Sequence, residues 1–318
     1  MIIDKKISCK LVLCVSGLLL VWLSSIASAD GNLPSIPERS SFSDKIDLEN
    51  YPSLPPPEKA QLMRWDFSEG NVYPYDFRQQ TVVSNEMQDM FATEGAQRNS
   101  HSMEGNGRVS LKSEQNRVAR LVMDNLVLTI HFKRSNGEGT DTKQMQSPPM
   151  VIQGIKEDGR MEIGNSSQEL LIKTLFPIPP TPLELGQSVP IPASMPFNAM
   201  GSLLHVNGSS EIKFADWVVI NGQACAKLET DIDISDLNVP AELKGDYACS
   251  VKGRSIFYFN VENRNFMSGR IALLISMRMV APSPRMNFPG ENNGKELPET
   301  IKMAMDSDNY ISVEYLGW

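Results

Sequence analysis

The stretch WVVINGQACAKLETDIDI, residues 217–234, decides the fold class. Apolar residues lead into Asn221-Gly222, and this dipeptide between alternating segments is the strongest short signal for a two-residue β-hairpin turn. After the turn, apolar and charged residues alternate with period two, as on a strand with one buried face and one wet face. The expected buried face carries Ala226, Leu228, Thr230, Ile232 and Ile234. The stretch therefore predicts an antiparallel hairpin.

The same period recurs through most of the chain. Residues 126–131 alternate in the same way, and residues 151–163 turn over at Glu157-Asp158-Gly159, where glycine suits a positive φ. Residues 255–260 and 270–280 add two strands joined by a turn near 263–269. Short turns between such strands favour antiparallel pairing.

Helix is expected above all over residues 166–175. Ser166 and Glu169 have the spacing of a capping box ahead of an apolar run, and Pro177 stops the helix. Residues 85–91 fit either a second short helix or an irregular strand. The predicted fold class is mainly β: two antiparallel β halves, as a sandwich or as curved half-barrel sheets, with one or two short helices.

Proline-rich and polar stretches divide the chain. Residues 30–58 contain the run Pro55-Pro56-Pro57 and few apolar residues, which is typical of an extended tether. Seven prolines between Pro177 and Pro196 exclude a helix and an interior strand. The expected segments are a signal peptide (1–29), a Pro-rich disordered tether (30–58), a first β half (59–164), a short helix and Pro-rich connector (165–200), a second β half (201–281), and a Pro/Gly-rich segment with a terminal strand (282–318).

The N-terminus has the pattern of an export signal. Three lysines precede an apolar run of about 16 residues, which is short of the roughly 20 that a membrane-spanning helix needs. Ala27-Ser28-Ala29 is a small-x-small cleavage signal, so we expect cleavage between Ala29 and Asp30 and export to the periplasm or the extracellular space. A retained anchor is the alternative.

The net charge of the chain limits the classes of partner that it can bind. The formal net charge is −8, and the signal peptide carries three lysines and Asp4, so the mature chain would carry −8 − 2 = −10. An acidic chain without a basic cluster argues against nucleic-acid binding. We expect no integral membrane protein after cleavage. In an outer-membrane barrel, Ser312 and Glu314 would lie in the C-terminal row that should face lipid, which argues against that class.

Two cysteines remain after the signal is removed, Cys225 and Cys249. In an exported chain this favours one disulfide between them, with two buried free thiols as the alternative. Closing a loop of that length would stabilise the fold by about 3.5 kcal/mol in the chain-entropy model.

Catalytic and metal-binding patterns are scarce. His101, His131 and His205 are not spaced as a metal pair, and no nucleophile or phosphate-loop motif occurs, so we expect no enzyme, no cofactor and no metal. A weak calcium candidate is the acidic set Glu229, Asp231, Asp233 and Asp236. A simpler explanation is that these carboxylates form the solvent-exposed face of an ordinary amphipathic strand.

Methionine pairs suggest two further possibilities. Met277-x-Met279 and Met303-x-Met305 raise the question of Cu(I) in an exported protein. Core packing explains the 275–279 row more simply, because thioethers fill irregular gaps well. An adaptable apolar groove lined by some of these methionines is a third possibility.

Three passages together resemble a family of uncharacterised secreted bacterial β-rich proteins, a domain of unknown function. They are LMRWDFSEGNVY at 62–73, LFPIP at 175–179 with Leu185-Gly186, and KGRSIFYF at 252–259. The resemblance covers most of residues 60–281. It implies an exported, two-part antiparallel β protein, and it transfers no catalytic residue.

Three functions stay open at this point. The first is an exported, non-enzymatic binding or interaction protein whose partner is an unknown protein or an apolar small molecule. The alternative is a periplasmic carrier of lipid or another apolar ligand. A further alternative is a hydrolase that uses carboxylates, which requires two of them to converge in a cleft.

Overall fold

A computed structural model describes residues 35–47, 50–88, 96–133, 140–162, 166–199, 202–282 and 300–317. Strands dominate these ranges, together with the helix α1 (Ser166–Leu175). The strands are β1 (Val72–Gln88), β2 (Ala96–Ser113), β3 (Val118–Lys133), β4 (Thr140–Gln146), β5 (Met150–Lys156), β6 (Ser188–Ala199), β7 (Ser202–Ile220), β8 (Gln223–Asn238), β9 (Asp246–Asn260), β10 (Asn265–Pro282) and β11 (Thr300–Tyr315). Short 3-10 turns occur at Ser43–Lys45 and Gln115–Arg117.

All the strands belong to one open, 11-stranded antiparallel sheet, so the mainly-β prediction is confirmed. The order is β4-β3-β2-β1-β11-β10-β9-β8-β7-β6, and β5 also pairs with β3. The strands β1 to β5 come from the first expected half and β7 to β10 from the second, and the two sets lie on opposite sides of β11 in this sheet. The terminal strand β11 joins them, because it pairs with β1 on one side and β10 on the other.

Local signals are confirmed where turn or cap chemistry is strong. Asn221 and Gly222 have φ of 50° and 79°, the positive values that the predicted hairpin turn requires. The helix α1 begins and ends at the expected residues. Residues 85–88 continue β1 as a strand, and the rest of that ambiguous segment lies outside the described residues. The strand β6 holds three prolines and lies at the sheet edge, where a missing N–H costs no ladder bond.

The main core lies on one face of the sheet, which we call the inner face. Trp65 is 1 % exposed and its ring packs 5.2–6.5 Å, centroid to centroid, from five other aromatic rings. The helix α1 and the segment after it bury Leu175 and Phe176 in the same cluster. The inner face is therefore covered by residues 63–67 and 171–183 as well as by its own side chains.

The segment expected to be a disordered tether packs on the opposite, outer face, so that prediction is wrong for residues 35–47 and 50–58. Ile46 is 2 % exposed in a second core cluster, and the ring of Tyr51 meets Tyr258 edge-on at 5.0 Å. Backbone bonds join Leu54 N to Trp217 O at 2.6 Å and Val219 N to Pro52 O at 2.9 Å. Apolar contacts and backbone hydrogen bonds with the sheet hold this proline-rich segment in place.

Candidate functional site

A cavity of about 600 Å³ lies at one end of the sheet. Chain segments distant in sequence meet there: the start of β1, the β7–β8 turn, the β9–β10 turn and the end of β11. Its walls are Asp66, Asn71, Val72, Tyr73, Asn221, Gln223, Glu262, Asn263, Asn265, Met267, Tyr315 and Gly317. The volume is in the range of sites for small molecules.

Carboxamide side chains form one wall and hold each other in place. The Gln223 Oε1 atom accepts hydrogen bonds from Asn260 Nδ2 at 2.5 Å and from Asn263 Nδ2 at 3.2 Å. The Asn263 backbone N–H donates to Asn260 Oδ1 at 2.8 Å. Because Asn260 is fully buried, this network fixes the turn between β9 and β10 against the start of β8.

A second set of cavity residues is organised around Asp66, whose backbone N–H donates to the Arg264 carbonyl at 3.3 Å. The Asp66 Oδ1 atom accepts from the Ser68 hydroxyl at 2.5 Å and the Ser68 N–H at 3.1 Å, and the hydroxyl bond is the main reason that the pKa of Asp66 is lowered. Its backbone carbonyl accepts from Tyr73 Oη at 2.5 Å and from Asn71 Nδ2 at 3.0 Å. Burial raises the pKa of Tyr73 to about 12, so the phenol stays neutral.

The cavity is neutral to negative. Asp66 and Glu262 are its charged groups, and no lysine or arginine is among the described residues that form its walls. The cation close to Asp66 is Arg264, which donates to the carbonyls of Arg64 and Trp65 at 3.2 and 2.8 Å. A site of this charge does not favour an anionic ligand.

Sequence reasoning missed this site. Asn260, Asn263 and Asn265 were available as a signal, since three carboxamides stand within six residues. The strand-and-turn prediction places Asn260 at a strand end and Asn263 and Asn265 in a turn, and it assigns no ligand to them. The partners that complete the site come from other turns, and hairpin register across the sheet brings them there.

The predicted disulfide is absent, because Cys225 and Cys249 are both buried free thiols. Cys225 lies opposite Asn260, and Cys249 is 260 − 249 = 11 residues earlier on that strand. At about 3.3 Å per residue the two positions are roughly 36 Å apart along the sheet. A disulfide requires Cα atoms within about 7 Å. The cysteines also belong to different core clusters, on opposite faces.

The acidic calcium candidates are not gathered into a site. Glu229 contacts Lys227 Nζ at 3.0 Å, and Asp231 contacts Arg254 Nε at 3.6 Å. Asp233 accepts from Ser235 Oγ at 2.8 Å, and Asp236 is exposed further along β8. In the part of the chain that the structure describes, no group of three or more His, Cys, Asp or Glu side chains could hold a metal ion.

The histidines do not meet. His131 is on β3 and His205 on β7, which are the second and ninth strands of the sheet order. His101 stacks on Phe132 with centroids 5.7 Å apart, and burial lowers its pKa. The proposed cleavage site at Ala29 and Asp30 lies outside the described residues. Across the described ranges, no helix has the length and apolarity to cross a bilayer.

Comparisons with known proteins add little. No family model matches the chain, and no curated protein matches it. One solved structure aligned to it is the enduracididine biosynthesis enzyme MppR in complex with a condensation product of pyruvate and imidazole 4-carboxaldehyde. It has 9 % identity and a TM-score of 0.13, over 81 % of this chain and 98 % of that chain. The same enzyme with HEPES buffer bound gives 8 % and 0.11, over 79 % and 90 %. At these values the likeness carries no information about the fold or the function of this chain.

Proposed function

We propose that this protein is an exported, non-enzymatic binding protein whose cavity takes a small, neutral, hydroxyl-rich molecule such as a saccharide. The observation that carries the proposal is the composition of the cavity wall. Five carboxamides and two tyrosines line it, with two carboxylates and no described cation.

Carboxamides match hydroxyl groups because both partners donate and accept hydrogen bonds. Asn71 and Asn263 supply amide groups, and Asp66 and Glu262 supply acceptors. Tyr73 and Tyr315 add aromatic surface, with ring centroids 6.5 Å apart. Orientation by the Gln223–Asn260–Asn263 network lowers the entropic cost of binding.

The polar walls support this ligand class over the apolar ligand of the carrier alternative. An apolar molecule in this cavity would remove water from carboxamides and carboxylates without replacing their hydrogen bonds. Each such group would then cost free energy instead of contributing affinity.

The charge state of Asp66 supports binding over hydrolysis. A carboxylate pair that hydrolyses glycosidic bonds needs one member with a raised pKa to act as the acid. The hydrogen bond from Ser68 lowers the pKa of Asp66 instead, which keeps it ionised. In the proposed function Asp66 is an acceptor for ligand hydroxyl groups.

The test is calorimetric titration of the mature protein with a panel of neutral mono- and oligosaccharides. We expect at least one to bind, and Asn263→Ala and Gln223→Leu to weaken it at least tenfold. The matched control is Asn207→Ala, an exposed amide on β7 outside the cavity walls. Circular dichroism verifies folding, since Gln223→Leu also removes a partner of buried Asn260.

Two results would overturn the proposal. One is a panel in which no saccharide releases heat or raises the melting temperature. The other is a bound saccharide whose affinity is the same in the wild type, Asn263→Ala and Gln223→Leu. Release of reducing ends during the titration would instead support the hydrolase.

A further inference from the structure

Strand register brings the two methionine pairs of the sequence together at the other end of the inner face. Met277 lies opposite Met305, and Met279 lies opposite Met303, on the neighbouring strands β10 and β11. On the other side of β10, Cys249 of β9 lies opposite Met277. Directly paired residues of an antiparallel sheet project from the same face with Cα atoms about 4.5–5.5 Å apart. Five sulfur-bearing side chains therefore share one patch.

These sulfur groups are buried in apolar surroundings. The exposed fractions are 3 % for Cys249, 8 % for Met277 and 2 % for Met305. All three belong to the inner-face core cluster, together with Val251 and Ile275 of the adjacent row. The set of side chains in this patch contains sulfur and no carboxylate or carbonyl side chain, so it does not suit a hard cation such as Ca²⁺.

We propose that Cys249, Met277 and Met305 form a binding site for a soft monovalent metal ion, Cu(I). Thiolate and thioether sulfurs are the ligands that select Cu(I) over harder cations. Met277 lies between the other two residues, and the flexible methionine side chains let sulfurs on three adjacent strands converge. On binding, the Cys249 S–H bond breaks, its proton passes to solvent and an S–Cu bond forms. The copper stays monovalent throughout.

The second pair gives the site an approach route. Met279 and Met303 are the next inner-face residues toward the ends of β10 and β11, which are Pro282 and Thr300. Their exposed fractions are 6 % and 9 %. An ion that enters from the strand ends meets the thioethers of Met279 and Met303 before it reaches Cys249. The apolar shell around the inner residues excludes water, which protects Cu(I) from oxidation.

The test is anaerobic transfer of Cu(I) from its coloured bicinchoninate complex to the mature protein, with ascorbate as reductant. We expect one equivalent of copper to move to the wild type. Met277→Leu and Met305→Leu keep the side-chain volume but remove the sulfur, and each should lower the apparent affinity at least tenfold. Cys249→Ser should lower it further. X-ray absorption at the copper edge should show a sulfur-only shell.

The chain provides matched controls on the outer face. Cys225 is equally buried, at 0 %, but lies in the other core cluster. Cys225→Ser and Cys225→Ala should therefore bind copper like the wild type. Melting temperatures separate lost ligands from lost folding, and the leucine variants remain informative if Cys249→Ser does not fold.

The proposal is wrong if the wild type takes no copper from the probe. It is also wrong if the outer-face variants lose as much affinity as Met277→Leu, or if the copper shell contains nitrogen or oxygen. None of these results bears on saccharide binding, because the cavity walls at the opposite end of the sheet contain none of the three proposed ligands.

Discussion

A buried ion pair ties the N-terminal segment to the centre of the sheet, and its removal tests the placement of that segment. The Arg278 side chain is 3 % exposed, and its guanidinium donates to both carboxylate oxygens of Asp306, at 2.9 and 3.1 Å. It also donates to the carbonyls of Met277, Met305 and Ser35 at 2.9, 3.0 and 2.8 Å. The last of these bonds anchors the N-terminal segment formed by residues 35–47.

The expected cost of Arg278→Met is about 3 kcal/mol. Removal of one member of a fully buried pair costs about 3–5 kcal/mol, because the other charge is left without compensation. Asp306 is 26 % exposed and keeps a hydrogen bond from Ser276 Oγ at 2.7 Å, so the lower end of that range applies. For a chain of this size the loss is equivalent to a fall of about 6–12 °C in melting temperature.

The assay is urea unfolding followed by far-UV circular dichroism, with limited proteolysis of the N-terminal segment. Arg278→Met should speed cleavage within residues 35–47. The control is Arg254→Met, whose ion pair with Asp231 is 3.6 Å long with side chains 45 % and 81 % exposed. Loss of an exposed pair should cost at most about 0.5 kcal/mol.

A double-mutant cycle completes the test. Arg278→Met combined with Asp306→Leu should be less destabilising than the sum of the single changes, because no isolated charge is left. The reasoning fails if Arg278→Met costs no more than Arg254→Met. It also fails if proteolysis of residues 35–47 is as fast in the wild type as in the variant.

Three further predictions concern the two cysteines, Gly269 and Asp66. Cys225 and Cys249 should not react with Ellman's reagent in the native protein, because burial raises the pKa of each thiol to about 12. The denatured mature chain should titrate as two thiols. A count below two would indicate a disulfide. Gly269→Ala should cost about 1–3 kcal/mol in urea unfolding because the new Cβ overlaps the buried Phe257 ring, and a Phe257→Leu background should relieve part of that loss. The pKa of Asp66 is lower in the folded protein than in the unfolded chain, so its ionised form stabilises the fold at pH values above the unfolded pKa. That contribution is lost as the pH falls through the folded pKa. The difference in unfolding free energy between the wild type and Asp66→Asn should therefore shrink as the pH falls below 3.8, the ordinary pKa of this carboxyl group. A difference that stays constant over that fall in pH would contradict this reasoning.

Local chemistry made part of the fold predictable. The Asn221-Gly222 turn needs positive φ at both residues, and few other dipeptides adopt it easily. The helix α1 covers Ser166–Leu175 and ends shortly before Pro177, whose missing N–H and ring cannot continue a helix. The prolines of β6 predicted that this segment could not lie inside a sheet, and it is an edge.

Non-local pairing explains what the sequence did not reveal. The strand β11 lies between β1 and β10. Its pairing with β1 joins residues more than 200 positions apart in the sequence, and no short pattern encodes such a pairing. The same pairing fixes the cavity and the row of Cys249, Met277 and Met305. The disulfide prediction failed for this reason, because proximity in sequence gives no measure of position along a long ladder.

The sequence by itself determined strand, turn and helix in the segments where period and turn chemistry are strong, because these act over a few residues. It also determined the acidic charge and the pattern of an export signal. Only the tertiary structure decided which strands are neighbours, which face each cysteine occupies and where the N-terminal segment packs. Those features depend on register, and in a sheet of 11 strands register is fixed by the joint burial of all inner-face side chains.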